Sequence, residues 1–230
     1  MPCTVALLAH TPHPDELVAA AARICYRDVT AADLLAGERE SLSEALLDQL
    51  WRSGHLSTFE HASFTFAVDG LSRVASHQLV RHRMASFSQQ SQRYVKMTGS
   101  SVIVPPTVAN MPEAEALFRQ QAEASFAAYR RLIELGVPAE DARFILPHGW
   151  ETRLVLTMNA RELHHFFHLR LCRRAQWEIR ALARQMLVLC RQEAPVLFKR
   201  AGPSCIFGAC GEVKPCGRPF KDMEDLLVED

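Results

Sequence analysis

Residues 63–68 read SFTFAV, with Ser and Thr at odd positions and Phe at even ones through position 66. A period of two puts successive side chains on opposite faces of an extended chain. The segment is therefore a half-buried strand, and its phenylalanine face needs a hydrophobic cover. Helices supply that cover. Residues 113–135 carry Phe118, Ala122, Phe126, Tyr129 and Ile133 at helical spacing and are closed by Gly136 and Pro138. Residues 175–192 repeat the pattern with Ile179, Leu182, Met186 and Leu189.

Other elements fall around these. Pro14-Asp15 opens an Ala-rich helix to about Tyr26. Residues 41–51 form another, with Ser41 and Glu44 as a capping box and Leu42, Leu46, Leu47 and Leu50 on one face, ended by Gly54. Residues 4–9 (TVALLA) read as a buried strand, 152–158 (TRLVLTM) as a second good strand and 102–104 as a short one stopped by Pro105-Pro106. Asp69-Gly70 reads as a turn, after which Ser72 caps a helix carrying Val74, His77, Gln78 and Arg81. The Ser/Gln-rich run that follows reads as loop, and Asn159 starts a helix to about Cys172. Long helices with a few strands give an α+β class.

The chain has 230 residues, enough to bury a sizeable core, and we divide it into a single catalytic domain at 1–200 and a Cys/Gly/Pro-rich tail at 201–230. Its formal net charge is zero, which gives no bulk attraction to a nucleic-acid polymer. No apolar stretch is long enough for a bilayer, and the start lacks the basic region of a signal peptide, so a cytoplasmic, reducing location is expected. Seven cysteines, an odd number and mostly scattered, argue against a disulfide framework. Cys205, Cys210 and Cys216 form C-x4-C-x5-C in the tail. They read as ordinary reduced thiols, with zinc completed by a ligand from elsewhere as the alternative; no metal is expected. His164 and His168, four apart on one helix, follow Glu162 without matching H-E-x-x-H, so a metal-dependent hydrolase ranks low.

The stretch between Asp69 and Glu113 contains no Asp or Glu, yet holds Arg73, Arg81, Arg83, Arg93 and Lys96 beside Ser86, Ser88, Gln89, Gln90, Ser91 and Gln92. Clustered guanidiniums repel unless an anion or a buried carboxylate joins them. Arg presents a planar fork matching phosphate oxygens, and Ser and Gln add uncharged donors and acceptors suited to a heterocycle. Residues 81–93 therefore read as a site for a phosphorylated small molecule. An RNA-binding module is the competing class, but only Phe87 and Tyr94 are interleaved for base stacking.

Arg81, His82 and Arg83, then seven residues, then Ser91, resemble the signature of flavin-dependent thymidylate synthases. GHLSTFEHASFTF (54–66), LVRHRMASFSQQSQRY (79–94), DARFILP (141–147), TRLVLTMNAREL (152–163) and HLR…AQWEIR (168–180) are similar to further family segments, in family order. The resemblance implies an antiparallel sheet packed with several long helices. It implies a methyltransferase converting dUMP to dTMP, with methylenetetrahydrofolate as carbon donor, reduced FAD as hydride donor and NADPH as reductant. It also implies a homotetramer with shared active sites. By resemblance Arg170 activates dUMP by stabilising negative charge on the pyrimidine. Gln78, Arg81, Gln90, Ser91, Gln92, Arg93, Arg143 and Arg170 fall at dUMP positions. Ser57, Arg81, His82, Arg83, Gln89, Asn159, Arg161 and His165 fall at FAD positions, with His55 close by. Ser91 is a contact rather than a nucleophile, since no general base accompanies it. The sequence departs from the family pattern at Gln89, a carboxylate in some members, and at His165, often Asn. FAD would be held without a dinucleotide glycine fingerprint, since no G-x-G-x-x-G occurs.

Overall fold

A computed structural model describes residues 3–26, 28, 30, 44–99 and 101–228. Four strands form one fully antiparallel sheet: β1 (Thr4–His10), β2 (Ser63–Ser72), β3 (Ala85–Gln89) and β4 (Glu151–Asn159), in the order β1-β2-β4-β3. The main helices are α1 (Pro14–Ile24), α2 (Glu44–Arg52), α3 (Arg73–Leu79), α4 (Pro112–Glu134), α5 (Ala160–Arg170), α6 (Trp177–Glu193) and α7 (Met223–Val228). The α+β class read from the sequence is the one observed.

Alternation decides which face of the sheet is covered. Phe64, Phe66 and Val68 on β2 and Leu154, Leu156 and Met158 on β4 point into a single core. Phe166 and Phe167 of α5 and Ile179, Leu182 and Met186 of α6 close over it, as do Phe220 and Leu226 near the end of the chain. Each such side chain contributes about 1.5–3 kcal/mol relative to exposure. A smaller core, with Tyr129, Ala142, Leu146 and Trp150, seats α4 against the segment before β4. Among the described residues no helix is long and apolar enough to cross a membrane.

Several local expectations change. Residues 4–9 do form a strand, but β1 is an edge strand with an alternating, largely exposed pattern rather than a buried one. Asp69 and Gly70 do not end β2. Its pairing with β4 shifts between Val68 and Leu71, and Gly70 at φ 76 absorbs the irregularity as a bulge. The Ser/Gln-rich run is not all loop, because Ala85–Gln89 is β3, paired from Ala85↔Met158 to Gln89↔Leu154. Residues 102–104 contribute only a bridge from Val102 to Trp150. The expected Ser41 cap and Leu42 lie outside the described residues; α2 buries Leu47 and Leu50 as its spacing requires.

Candidate active site

Ser72 ends β2 and starts α3, its hydroxyl accepting from the Ala75 N–H at 3.0 Å. The same hydroxyl donates to Glu178 Oε2 at 2.5 Å, and the Ser72 N–H donates to Oε1 at 2.6 Å. This buried clamp fixes α3 to α6, and hence fixes where the chain leaves α3 after Leu79. Arg81, His82 and Arg83 follow directly, before β3 begins. His82 turns inward and is 3% exposed, while Arg81 and Arg83 stay on the surface.

Opposite them, Asn159 is both the last residue of β4 and the cap of α5, its Oδ1 accepting from the Glu162 N–H at 2.9 Å. Glu162 Oε1 lies 2.8 Å from His82 Nδ1. Arg170, at the other end of α5, donates from Nε to His82 Nε2 at 3.0 Å and from Nη2 to the Gln78 carbonyl at 3.3 Å. The guanidinium can only donate, so His82 Nε2 is unprotonated and Nδ1–H donates to the carboxylate. Burial lowers the His82 pKa; Glu162 raises it, and the Arg170 cation lowers it further. Burial also lowers the Arg170 pKa.

Ligand atoms of His82, Glu162 and His165 lie within 4.8 Å of one another. A metal would need the His82 lone pair, and Arg170 engages it. The group is a hydrogen-bonded chain from carboxylate to imidazole to guanidinium. The His164/His168 pair weighed from the sequence is also employed otherwise. His164 Nε2–H donates to the Leu197 carbonyl at 2.8 Å, and its ring packs against Trp51 and Phe198.

Beside this chain opens a cavity of about 600 Å³ lined by Trp51, Leu56, Glu60, Met84, Asn159, Arg161, Glu162, His164, His165, His168, Arg200 and Gly202. Asn159, Arg161 and His165 are thus brought together as the sequence suggested. Arg161 Nη1 pairs with Glu60 at 2.5 Å, and the His165 ring meets His82 edge-on at 5.6 Å. His55 and Ser57 flank Leu56 at the start of the 3-10 turn Leu56–His61, and His55 Nδ1 lies 3.1 Å from the Tyr26 hydroxyl.

The remaining candidates lie elsewhere along the sheet. Gln89, four residues down β3, donates from Nε2 to Thr152 Oγ1 at 3.1 Å and does not line the cavity. That end of β3 is roughly 13 Å from its start, at about 3.3 Å per residue. Gln90, Ser91 and Gln92 follow it, Gln90 N–H donating to the Arg153 carbonyl and Ser91 Oγ accepting from the Arg93 N–H. Arg93 pairs with Glu140 at 2.5 Å, and Arg143 donates to the Glu140 carbonyl at 3.0 Å. So one guanidinium of the acid-free stretch is balanced by a protein carboxylate from outside it. Within one chain, Gln78, Arg81 and Arg170 gather at one place and Arg93 and Arg143 at another. Sequence reasoning missed the part played by Glu162. Its spacing from Asn159 matches a capping motif, and that local reading hides a contact made across 80 residues.

The model of the family described as thymidylate synthase complementing protein matches residues 6–196. A flavin-dependent thymidylate synthase of Geobacter sulfurreducens is 53% identical, over 95% of this chain and 98% of its own. The chain belongs to the flavin-dependent thymidylate synthase family. Membership makes it an enzyme, a flavin-dependent methyltransferase of thymidylate synthesis. Another member, from Nitratidesulfovibrio vulgaris, is 49% identical over 93% of this chain and 94% of its own. The fold agrees as well. The crystal structure of a UMP/dUMP methylase, PolB of Streptomyces cacaoi, bound with 5-Br dUMP, superposes with a TM-score of 0.76 at 30% identity. It covers 86% of this chain and 93% of that one.

Proposed function

We propose that this enzyme carries out reductive methylation of dUMP to dTMP, with methylenetetrahydrofolate as carbon donor, FAD as the flavin and NADPH as its reductant. The observation that carries the reading is Arg170. Its guanidinium is held at two nitrogens, Nε by His82 Nε2 and Nη2 by the Gln78 carbonyl, within hydrogen-bond reach of the end of α3, where the anion-binding run begins. A cation fixed in this way opposes negative charge developing on a pyrimidine without reorganising as the charge appears. Gln78, Arg81, Gln90, Ser91, Gln92, Arg93 and Arg143 are the proposed dUMP contacts. PolB, named for both UMP and dUMP, makes UMP the natural control substrate.

The residues lining the large cavity fit a flavin dinucleotide. Arg161 and Arg200 bring guanidinium donors for a pyrophosphate, and Trp51, Leu56 and Met84 bring apolar surface for rings. His55, Ser57, Arg81, His82, Arg83, Gln89, Asn159, Arg161 and His165 are the proposed FAD contacts. When bound in its reduced form, FAD supplies the hydride that completes the methyl group. The chain's own part is to bind, to orient and, at Arg170, to steady the charge.

The proposed assembly is a homotetramer with shared sites, working in the cytoplasm. Two features support it. Candidate dUMP residues occur in separate groups along β3. Among the described residues, the outer sheet face around Ser86, Ser88, Thr65, Ala67, Val155 and Thr157 carries no helix, and Val155 is 38% exposed. Residues 1–200 would form the catalytic domain, with 201–230 as a tail.

Purified protein is expected to be yellow, to lose its flavin absorbance with NADPH and to convert dUMP, but not UMP, to the methylated product. Arg170→Ala should abolish dTMP formation and keep most of the FAD. Synthase activity retained in that variant would remove Arg170 from its role, and a protein unable to take up FAD would remove the flavin cavity.

A further inference from the structure

The tail cysteines meet a fourth thiol. After the 3-10 turn Leu197–Arg200 the chain folds back over the end of α5, and Cys205, Cys210 and Cys216 come to line one cavity of about 150 Å³ with Cys172. Cys172 lies in the turn that follows α5, two residues beyond Arg170. All four are free thiols; Cys210 is exposed and the other three are half-buried.

The backbone around two of them is arranged alike. The Arg218 N–H donates to Cys216 Sγ at 3.4 Å, and the Arg174 N–H is the nearby donor that lowers the Cys172 pKa. In each case the donor is two residues past the cysteine. Gly217, at φ 73, supplies the left-handed conformation that turns the chain between Cys216 and Arg218. A neutral thiol is a weak acceptor, whereas a metal-bound thiolate gains from such donors, which orient it and stabilise its charge. Burial raises the Cys172 pKa, the Arg174 N–H lowers it, and the neighbouring Glu212, Cys216 and Cys205 raise it.

The segment bearing Cys210 and Cys216 is held by a few hydrogen bonds, one from the Gly211 N–H to Ser204 Oγ at 3.0 Å. Residues 207–219 contain no helix or strand. They are tied to the 172–174 turn by Arg174 Nη1, which reaches Glu212 Oε2 and the Lys214 carbonyl at 2.8 Å each, and by Arg173 Nη1 to the Arg218 carbonyl at 3.0 Å. Exposed contacts of this kind contribute little by themselves.

We propose that Cys172, Cys205, Cys210 and Cys216 bind one structural zinc ion, which fastens the C-terminal tail to the end of the helix that carries Arg170. Four sulfur ligands from a closed loop suit tetrahedral zinc and leave no open position for chemistry. No three of the four sulfurs lie within 4.8 Å of one another, so coordination at about 2.3 Å from the metal requires the loop to draw inward around the ion. The four thiols give up their protons as the bonds form, so binding weakens in acid. Three thiols were legible from the sequence, which lacked the fourth ligand because Cys172 is 33 residues before Cys205.

The test is elemental analysis of the full-length, flavin-loaded protein purified without a histidine tag. About one zinc per chain is expected, falling below about a tenth in Cys172→Ser and in Cys216→Ser and unchanged in Cys25→Ser. Because serine variants of a structural site can fail to fold, cobalt(II) is also added to chelator-treated, reduced wild-type protein. The absorption of a tetrahedral cobalt thiolate, to the red of the flavin and displaced by zinc, supports the site. Absence of both bound zinc and cobalt bands overturns the proposal, as does zinc retained in both serine variants. Iron in place of zinc overturns the choice of metal.

Discussion

A neutral imidazole set between a guanidinium and a carboxylate has its proton placed for it. Arg170 donates to His82 Nε2, so the single ring proton sits on Nδ1 and faces Glu162. Glu162 therefore never touches Arg170 yet decides which way the His82 lone pair points, and through it where the guanidinium rests. Glu162→Gln replaces a charge-assisted hydrogen bond by a neutral one inside a buried site. We expect kcat/KM for dUMP to fall about ten- to a hundredfold, equivalent to roughly 1.5–3 kcal/mol, with flavin content nearly unchanged. Steady-state kinetics beside a flavin absorbance measurement would show it. Wild-type kinetics in that variant would mean that packing alone holds Arg170.

At the scale of elements, α3 and α6 are joined through one hydroxyl and one carboxylate. Ser72→Ala removes the cap of α3 and one of two donors to Glu178, which is 1% exposed. A lost cap costs about 1 kcal/mol and a lost buried hydrogen bond to a charged group about 1.5–3 kcal/mol, so the urea unfolding free energy should drop by about 2–4 kcal/mol. A loss under about 0.5 kcal/mol would show that the clamp is redundant. The cap itself was readable, because Ser72 precedes a helical pattern. Its partner was not, since Glu178 is 106 residues away and looks like an ordinary first-turn acid of α6. β3 was hidden for another reason. Ser and Gln have weak strand preference, and only Phe87 between Ser86 and Ser88 hinted at a period of two. Gly70 misled by looking like a turn, where pairing with β4 resumes at Leu71 and carries the strand through the bulge.

For the whole molecule, His164 links stability to acidity. Buried among Trp51, Phe59 and Phe198, it is pushed down to about 4 by desolvation, against 6.5 for an exposed histidine. The unfolded chain binds this proton first as pH falls. The stabilisation is therefore complete above about pH 6.5, declines between about 6.5 and 4, and is gone below, amounting to on the order of 3 kcal/mol. Urea midpoints measured across this window should fall more steeply in the wild type than in His164→Gln; equal slopes would place the acid sensitivity elsewhere. The class of the fold was legible because the Phe64–Phe66 alternation and the α4 and α6 stripes are consequences of burial itself. The candidate site was legible as a set of residue types and, through resemblance, as a list. Its convergence was not, because the contact between Arg170 and His82 depends on a sheet order that pairs β4 with both β2 and β3.

β4 passes into α5 without a connecting loop, Asn159 serving as the last residue of one and the cap of the other. No loop residue separates them, so the direction of α5 is set by the end of β4. The 11-residue helix places Arg170 about 16 Å from that pivot at about 1.5 Å per residue. A small rotation of β4 within the sheet is therefore magnified at the guanidinium. Substitutions on the outer face of β4 are therefore expected to reach the rate of the reaction through α5.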